Sequence, residues 1–194
     1  LTLSGAKTLT LTTALNTGSI ATTNSNLNTG GNDLTTGSAN TNTTFAGVIS
    51  GAGKLIKEGS GVFSLSGTNT YSGLTRIDEG TLKISGSGKL GNGSYSKKIQ
   101  NSGTFDYASS ATQTLSGVIS GSGGITASGS GALTLTGTNT FTGAVVLTGG
   151  GNLVAGSAAA LGANAPAIAS GSISDQFSVS DGVTLASLNI TCLL

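Results

Sequence analysis

The sequence contains no histidine, no methionine and no tryptophan, and only one proline and one cysteine in 194 residues. Without histidine there can be no Ser-His-Asp triad and no imidazole-bound metal, and haem ligation by His or Met is excluded with them. A single cysteine, Cys192, cannot close an internal disulfide. It reads as a small buried apolar residue, with intermolecular pairing as the alternative. One proline and no three-residue glycine period exclude collagen. Charge is scarce: eight Lys and Arg face seven Asp and Glu, for a net charge of +1. That is too little clustered positive charge for nucleic acid to be a main partner. A mean hydropathy of +0.21 is too high for ordinary disorder, which needs low hydrophobicity and high net charge. No apolar run approaches a membrane helix in length, and no basic segment with an apolar core opens the chain at Leu1. The chain therefore reads as an internal piece of a longer protein, or as a processed product.

Glycine, threonine, serine and asparagine fill the space left by these absences and together make up more than half the chain. Apolar residues alternate with them at a period of two. Phe63 and Leu65 alternate with Ser64 and Ser66, Leu133 and Leu135 with Thr134 and Thr136, Leu82 and Ile84 with Thr81, Lys83 and Ser85. Leu1 and Leu3, Leu9 and Leu11, and Ile173, Phe177 and Val179 extend the pattern to the flanks. Such alternation predicts strands with one buried face. Gly, Ser, Asn and Asp turns separate them, as at Gly67-Thr68-Asn69 and Gly86-Ser87-Gly88. The Ala-rich run from Ala158 to Ala169 tempts a helix, but Gly162 and Pro166 interrupt it.

An internal repeat selects among all-β architectures. Gly47 to Gly73 aligns without a gap on Gly117 to Gly143, and more than half of the aligned positions are identical. After a one-residue slip the copies continue to residues 91 and 162, giving repeats at 47–91 and 117–162 within one segment, 1–194. Lys54, Lys57 and Glu58 become Gly124, Ala127 and Ser128, so these charges read as surface that the fold does not need. A long repeat made of short strands predicts a parallel β-solenoid, in which each coil pairs only with the next. The offset between the copies divides into roughly three coils of about 23 residues, which predicts about eight coils in all. At roughly 4.8 Å per coil, the rod is on the order of 40 Å long.

The residues able to support chemistry are few. The carboxylates are Asp33, Glu58, Asp78, Glu79, Asp106, Asp175 and Asp181. Asp78 and Glu79 are sequence neighbours expected to point to opposite faces of a strand or into a turn, and Arg76 shares the outward side with Asp78. This reads as a solvated strand face with a weak ion pair, not as the carboxylate pair of a glycosidase. Gly30-Gly31-Asn32-Asp33 has a faint likeness to a calcium-binding repeat, but no tandem copy follows. No helix follows the Gly-rich stretches, so a phosphate loop is not expected. Lys97-Lys98, near Tyr95, reads as a solvated loop. No catalytic residue, cofactor or metal site is expected. The candidate key positions are structural: Gly67, Asn69, Tyr71, Gly73 and Gly80 in the first copy, and Gly137, Asn139, Phe141 and Gly143 in the second. Asn can turn the chain and bond neighbouring backbone, while the aromatic ring caps the core at a corner.

The segment from Gly59 to Leu82 resembles the passenger-associated transport repeat of bacterial autotransporters, also described as the autotransporter-associated β-strand repeat. The resemblance rests on Gly59, Gly61, Phe63, Leu65, Gly67, Asn69, Thr70, Tyr71, Gly73, Thr75, Ile77, Gly80 and Leu82. The second copy matches at Gly129, Gly131, Leu133, Leu135, Gly137, Asn139, Thr140, Phe141 and Gly143, with Val145 for Thr and Leu147 for Ile. The resemblance implies a right-handed parallel β-helix, exported to the outside of a Gram-negative cell by a C-terminal membrane barrel that lies outside this sequence. The leading expectation is a non-enzymatic, extracellular or cell-surface stalk or adhesin segment, with a host surface protein or glycan as partner. Two alternatives stand beside it. One is a fibre subunit that stacks end to end with copies of itself. The other is the scaffold of a secreted toxin or enzyme whose active part lies elsewhere.

Overall fold

The computed structural model describes residues 1–162, 168–172, 174–185 and 190–192. Among these residues there is no α-helix; the one helical feature is a single 3-10 turn at Gly91–Gly93. Every strand pairing is parallel. The chain is a β-solenoid with three faces. The first face is a ten-stranded sheet running from Thr2–Leu3 to Ile190–Cys192. The third is a six-stranded sheet from Leu15–Thr17 to Ile119–Ser120. The second begins as three strands, Thr8–Thr10, Asn26–Asn28 and Ile49–Ser50, and resumes as five strands from Ser94–Tyr95 to Gln176–Val179. The two parts are joined through residues 68–71, where Thr70 N donates to Ile49 O and Asn92 N donates to Asn69 O.

Ten strands on the first face mark about nine turns, not eight. Most turns are shorter than the sequence suggests. Val62 is in register with Thr81, and Thr104 with Gly124. The step from Thr81 to Thr104 reaches the expected length, and that turn holds the 3-10 excursion. This changes how the repeat wraps. Val62–Leu65 lies on the first face, but its counterpart Ala132–Leu135 lies on the second. Leu55–Lys57 and Thr75–Ile77 lie on the third face, whereas Gly124–Ala127 and Val145–Leu147 lie on the first. The offset between the copies therefore makes three turns and one face, and the second copy is rotated by a third of a turn.

The core follows from parallel register acting on a two-residue period. Phe63, Leu82, Phe105, Ile125, Val145 and Ile168 form one inward row on the first face, with a second row of Leu65, Ile84, Tyr107, Ala127 and Leu147 beside it. All are buried. Each large side chain so buried contributes roughly 1.5–3 kcal/mol. The stack grows by adding similar contacts, so it needs neither disulfides nor charge.

The flanks fit less evenly. Leu11 is buried, while Leu9, in register with the buried Leu27, is 39% exposed. The Ala-rich run contains a turn at 158–161, and its residues 163–167 lie outside the described set, as does Ile173. Cys192 is placed in a strand, and its side chain lies outside the described residues.

Candidate functional site

The repeat's signature residues assemble at one corner of the solenoid in each copy. Asn69 is fully buried where the chain leaves the first face. Its Oδ1 accepts from Ile49 N at 3.0 Å in the preceding turn. Its Nδ2 donates to Gly67 O at 2.9 Å and to Lys89 O at 3.2 Å in the following turn. Asn139 repeats the arrangement one face further round: Oδ1 accepts from Ile119 N at 2.8 Å, and Nδ2 donates to Ala160 O at 2.7 Å. Each asparagine thus ties three consecutive turns together at a point where the strand ladder is interrupted. Gly67 and Gly137 stand just before it. A Cβ on either would run into the carbonyl of Gly47 or Gly117 below. Gly73 and Gly143 close the corner under the same restriction, against Gly53 and Gly123. Gly80 turns the chain back to the first face with φ +62°, a region side chains disfavour.

The aromatic position differs between copies in a coordinated way. Tyr71 OH lies 2.6 Å from Thr75 Oγ1, which lies 2.9 Å from Tyr95 OH, and Tyr95 OH donates to Gly73 O at 2.6 Å. The two rings meet edge to face with centroids 5.7 Å apart. Burial pushes the Tyr71 phenol well above its usual range. The same cause takes Tyr95 up to about 12. In the second copy Phe141 and Val145 replace Tyr71 and Thr75, so both hydroxyls are lost together and neither is left buried without a partner.

Most of the carboxylates are engaged in structural contacts. Lys54 N and Nζ donate to Asp33 at 3.0 and 3.1 Å, and the Lys54 backbone N–H is the main reason the Asp33 carboxyl is held below its usual range. Arg76 pairs with Asp78 at 2.8 Å with both side chains partly exposed. Lys83 pairs with Asp106 at 3.0 Å, and Asp106 also accepts from Ser128 Oγ at 2.6 Å. Asp175 has a role that its sequence neighbours do not announce. It accepts from the backbone N–H groups of Gly150, Gly151, Gly171 and Ser172 at 2.9–3.1 Å, and from Ser170 Oγ at 3.1 Å. Burial works to raise its pKa, but these donors outweigh it and the net shift is downward. Glu58, Asp78 and Glu79 border a groove of about 410 Å³ with Ser38, Asn40 and Gly59. Among the described residues, no group of three or more His, Cys, Asp or Glu could hold a metal.

Lys57 corrects the sequence reading. It is 1% exposed and is not surface decoration. Its ammonium donates to Glu58 O and Gly59 O, both at 2.6 Å, and to Glu79 O at 3.3 Å. Burial lowers its pKa, opposed by the charge of Glu79. The signal lies in the register: Lys57 stands in the inward row with Thr36 and Ile77.

Residues 55–84 and 125–154 match the profile of the passenger-associated-transport-repeat. The chain carries two such repeats. Both matches begin on the strand before the corner's own turn, Leu55–Lys57 or Gly124–Ala127, and both end a turn and a face later. Over 58 residues the chain is 45% identical to "Adhesin BmaC autotransporter" of Brucella suis biovar 1 (strain 1330). That alignment covers 30% of this chain and 2% of the relative, so the chain corresponds to a small fraction of that protein. No solved structure matches the chain. Autotransporter passenger domains are secreted to the Gram-negative cell surface, and the passenger repeats and the adhesin relative assign that location here.

Proposed function

We propose that this chain is a non-enzymatic segment of an adhesin-type autotransporter passenger, a stiff β-solenoid that holds binding surface away from the outer membrane. The observation that carries this reading is the pair of passenger repeats, each built into consecutive turns of one continuous rod, together with the adhesin relative. The fate of the carboxylates supports it: Asp33, Asp106 and Asp175 all serve ion pairs or backbone hydrogen bonds that hold turns together. A passenger needs this kind of stability, since coils that contact only their neighbours can fold one after another as a chain emerges. The test is display of residues 1–194 on a non-adherent Gram-negative cell, through a heterologous membrane barrel. Increased attachment to cultured epithelial cells or to a matrix-coated surface is expected. Attachment no greater than that of cells displaying an unrelated β-solenoid of equal length would overturn the reading.

A further inference from the structure

The two repeat copies can be compared residue by residue on their outer surfaces. Outside the corner, the side chains at positions 52, 54, 58, 60, 62, 64 and 66 face solvent at least in part. Ser60 is kept as Ser130 and the hydroxyls of Ser64 and Ser66 recur on threonines, while the other four positions change chemical character or size. At the corner the outward side chains change less. Val48, Ser50, Thr68 and Thr70 recur unchanged as Val118, Ser120, Thr138 and Thr140, and Ser72 recurs as the hydroxyl of Thr142. These residues sit together on two successive turns. Thr70 N donates to Ile49 O and Ser72 N to Gly51 O in the first copy, and Thr140 N donates to Ile119 O and Thr142 N to Gly121 O in the second. The fold accounts for the inward residues of this corner through Asn69 and Asn139, and for Ser50 in part, whose Oγ donates to Leu27 O at 3.4 Å; among the described residues it gives the hydroxyls of Thr68, Thr70 and Ser72 no partner. Thr70 and Thr140 are exposed, and Val118 is 38% exposed.

We infer that this outward patch of one valine and four hydroxyl side chains is a repeated binding site for an uncharged glycan. The inference rests on the adhesin reading above and names its ligand class. A sugar ring offers hydroxyls to the Ser and Thr side chains and C–H groups to the valine methyls, so the patch matches both. Charge argues for a neutral ligand. Lysines border each patch, but from opposite sides. Lys89, which pairs with Thr68, and Lys97, which lines a hollow with Thr70 and Ser72, lie in the turn after the first patch, whereas Lys98 lies in the turn before Val118. No charge therefore occupies an equivalent place in the two copies. The second patch also lies in a stretch from Tyr107 to Ser174 without a single charged residue. Because the copies differ by three turns and one face, the two sites lie about 16 Å apart along the axis at roughly 4.8 Å per turn. They also look outward in directions a third of a turn apart. One straight glycan chain engages one site at a time, and the rod presents sites to several sides.

The experiment uses purified residues 1–194 on a printed panel of neutral and sialylated oligosaccharides, followed by titration calorimetry with the strongest neutral probe. Two sites per chain are expected, with one lost in Thr70→Arg, one lost in Thr140→Arg and both lost in the double variant. Ser64→Arg and Thr134→Arg, outward positions of the same repeats beyond the patch, retain both sites. Circular dichroism and gel filtration establish that each variant keeps the fold. Binding only to sialylated probes, no binding to any probe, or binding indifferent to the double variant each overturns the inference. Cell attachment separates this failure from that of the adhesin reading: attachment that survives the double variant refutes the patch alone, whereas no attachment by the parent chain refutes both.

Discussion

The two repeat copies solve one backbone problem with different interiors. Around Asn69 the corner is polar inside: a buried ammonium at Lys57 and a hydroxyl chain through Tyr71, Thr75 and Tyr95. Around Asn139 the same corner is apolar, with Ala127, Phe141 and Val145 in the corresponding places. The asparagine that ties three turns is common to both. What the repeat specifies is therefore the backbone tie and the glycines that allow close approach. The side chains beneath it are exchangeable as complete sets, since a buried polar group costs little only when its partners come with it.

Exchanging single members of these sets breaks the comparison most sharply. Ala127→Lys places an ammonium where the first copy has one, but in a closed row between Tyr107 and Leu147 rather than between Thr36 and Ile77. A loss of about 3 kcal/mol or more in urea unfolding is expected, against about 1–3 kcal/mol for Lys57→Ala. Tolerance of Ala127→Lys would mean that the second corner is as permissive as the first. Asn69→Ala and Asn139→Ala should each cost about 1–3 kcal/mol, because each leaves a buried backbone N–H, that of Ile49 or Ile119, without its acceptor. A large difference between the two would show that the tie is not the shared element.

The hydroxyl chain gives a smaller effect with a defined sign. Thr75→Val strands the Tyr71 hydroxyl and should cost about 1–3 kcal/mol, while Tyr71→Phe with Thr75→Val, the pair found in the second copy, should cost less than Thr75→Val alone. A double-mutant cycle measures this. The phenols also set an alkaline limit. Their pKa values are raised in the fold, so their contribution is complete below the ordinary value of 10.0 and is lost as pH rises from there through about 12. The melting temperature should fall over that window by less in Tyr71→Phe and Tyr95→Phe than in the parent. Smallest of all is Arg76→Ala, which removes an exposed pair absent from the second copy and should change stability by less than about 1 kcal/mol.

The all-β solenoid is readable from the alternation of residues such as Phe63 and Leu65 and from the constant offset between the copies, because both are direct consequences of parallel register. The number of turns is not. A repeat length fixes the product of turns and residues per turn, and the short step from Val62 to Thr81 leaves no mark that distinguishes it from the longer one from Thr81 to Thr104. Lys57 misleads because its charge outweighs its phase, although Leu55 two residues before it points inward. The role of Asp175 is hidden because its donors, at Gly150, Gly151, Gly171 and Ser172, are backbone groups that no side-chain pattern reveals. The Tyr71–Thr75–Tyr95 chain joins residues from successive turns, so it becomes visible only once the register is known.

The central claim is that the repeat advances by three turns and one face. Spin labels in a Cys192→Ser background test it directly by pulsed dipolar spectroscopy. Ser64 and Thr126 stand in one outward row of the first face, three turns apart, or about 14 Å at roughly 4.8 Å per turn. Ser64 and Thr134 are the same position of the two repeat copies and lie on different faces. The account predicts a shorter distance for the Ser64–Thr126 pair than for the Ser64–Thr134 pair. The reverse order would mean that the copies stack in whole turns, and would contradict it.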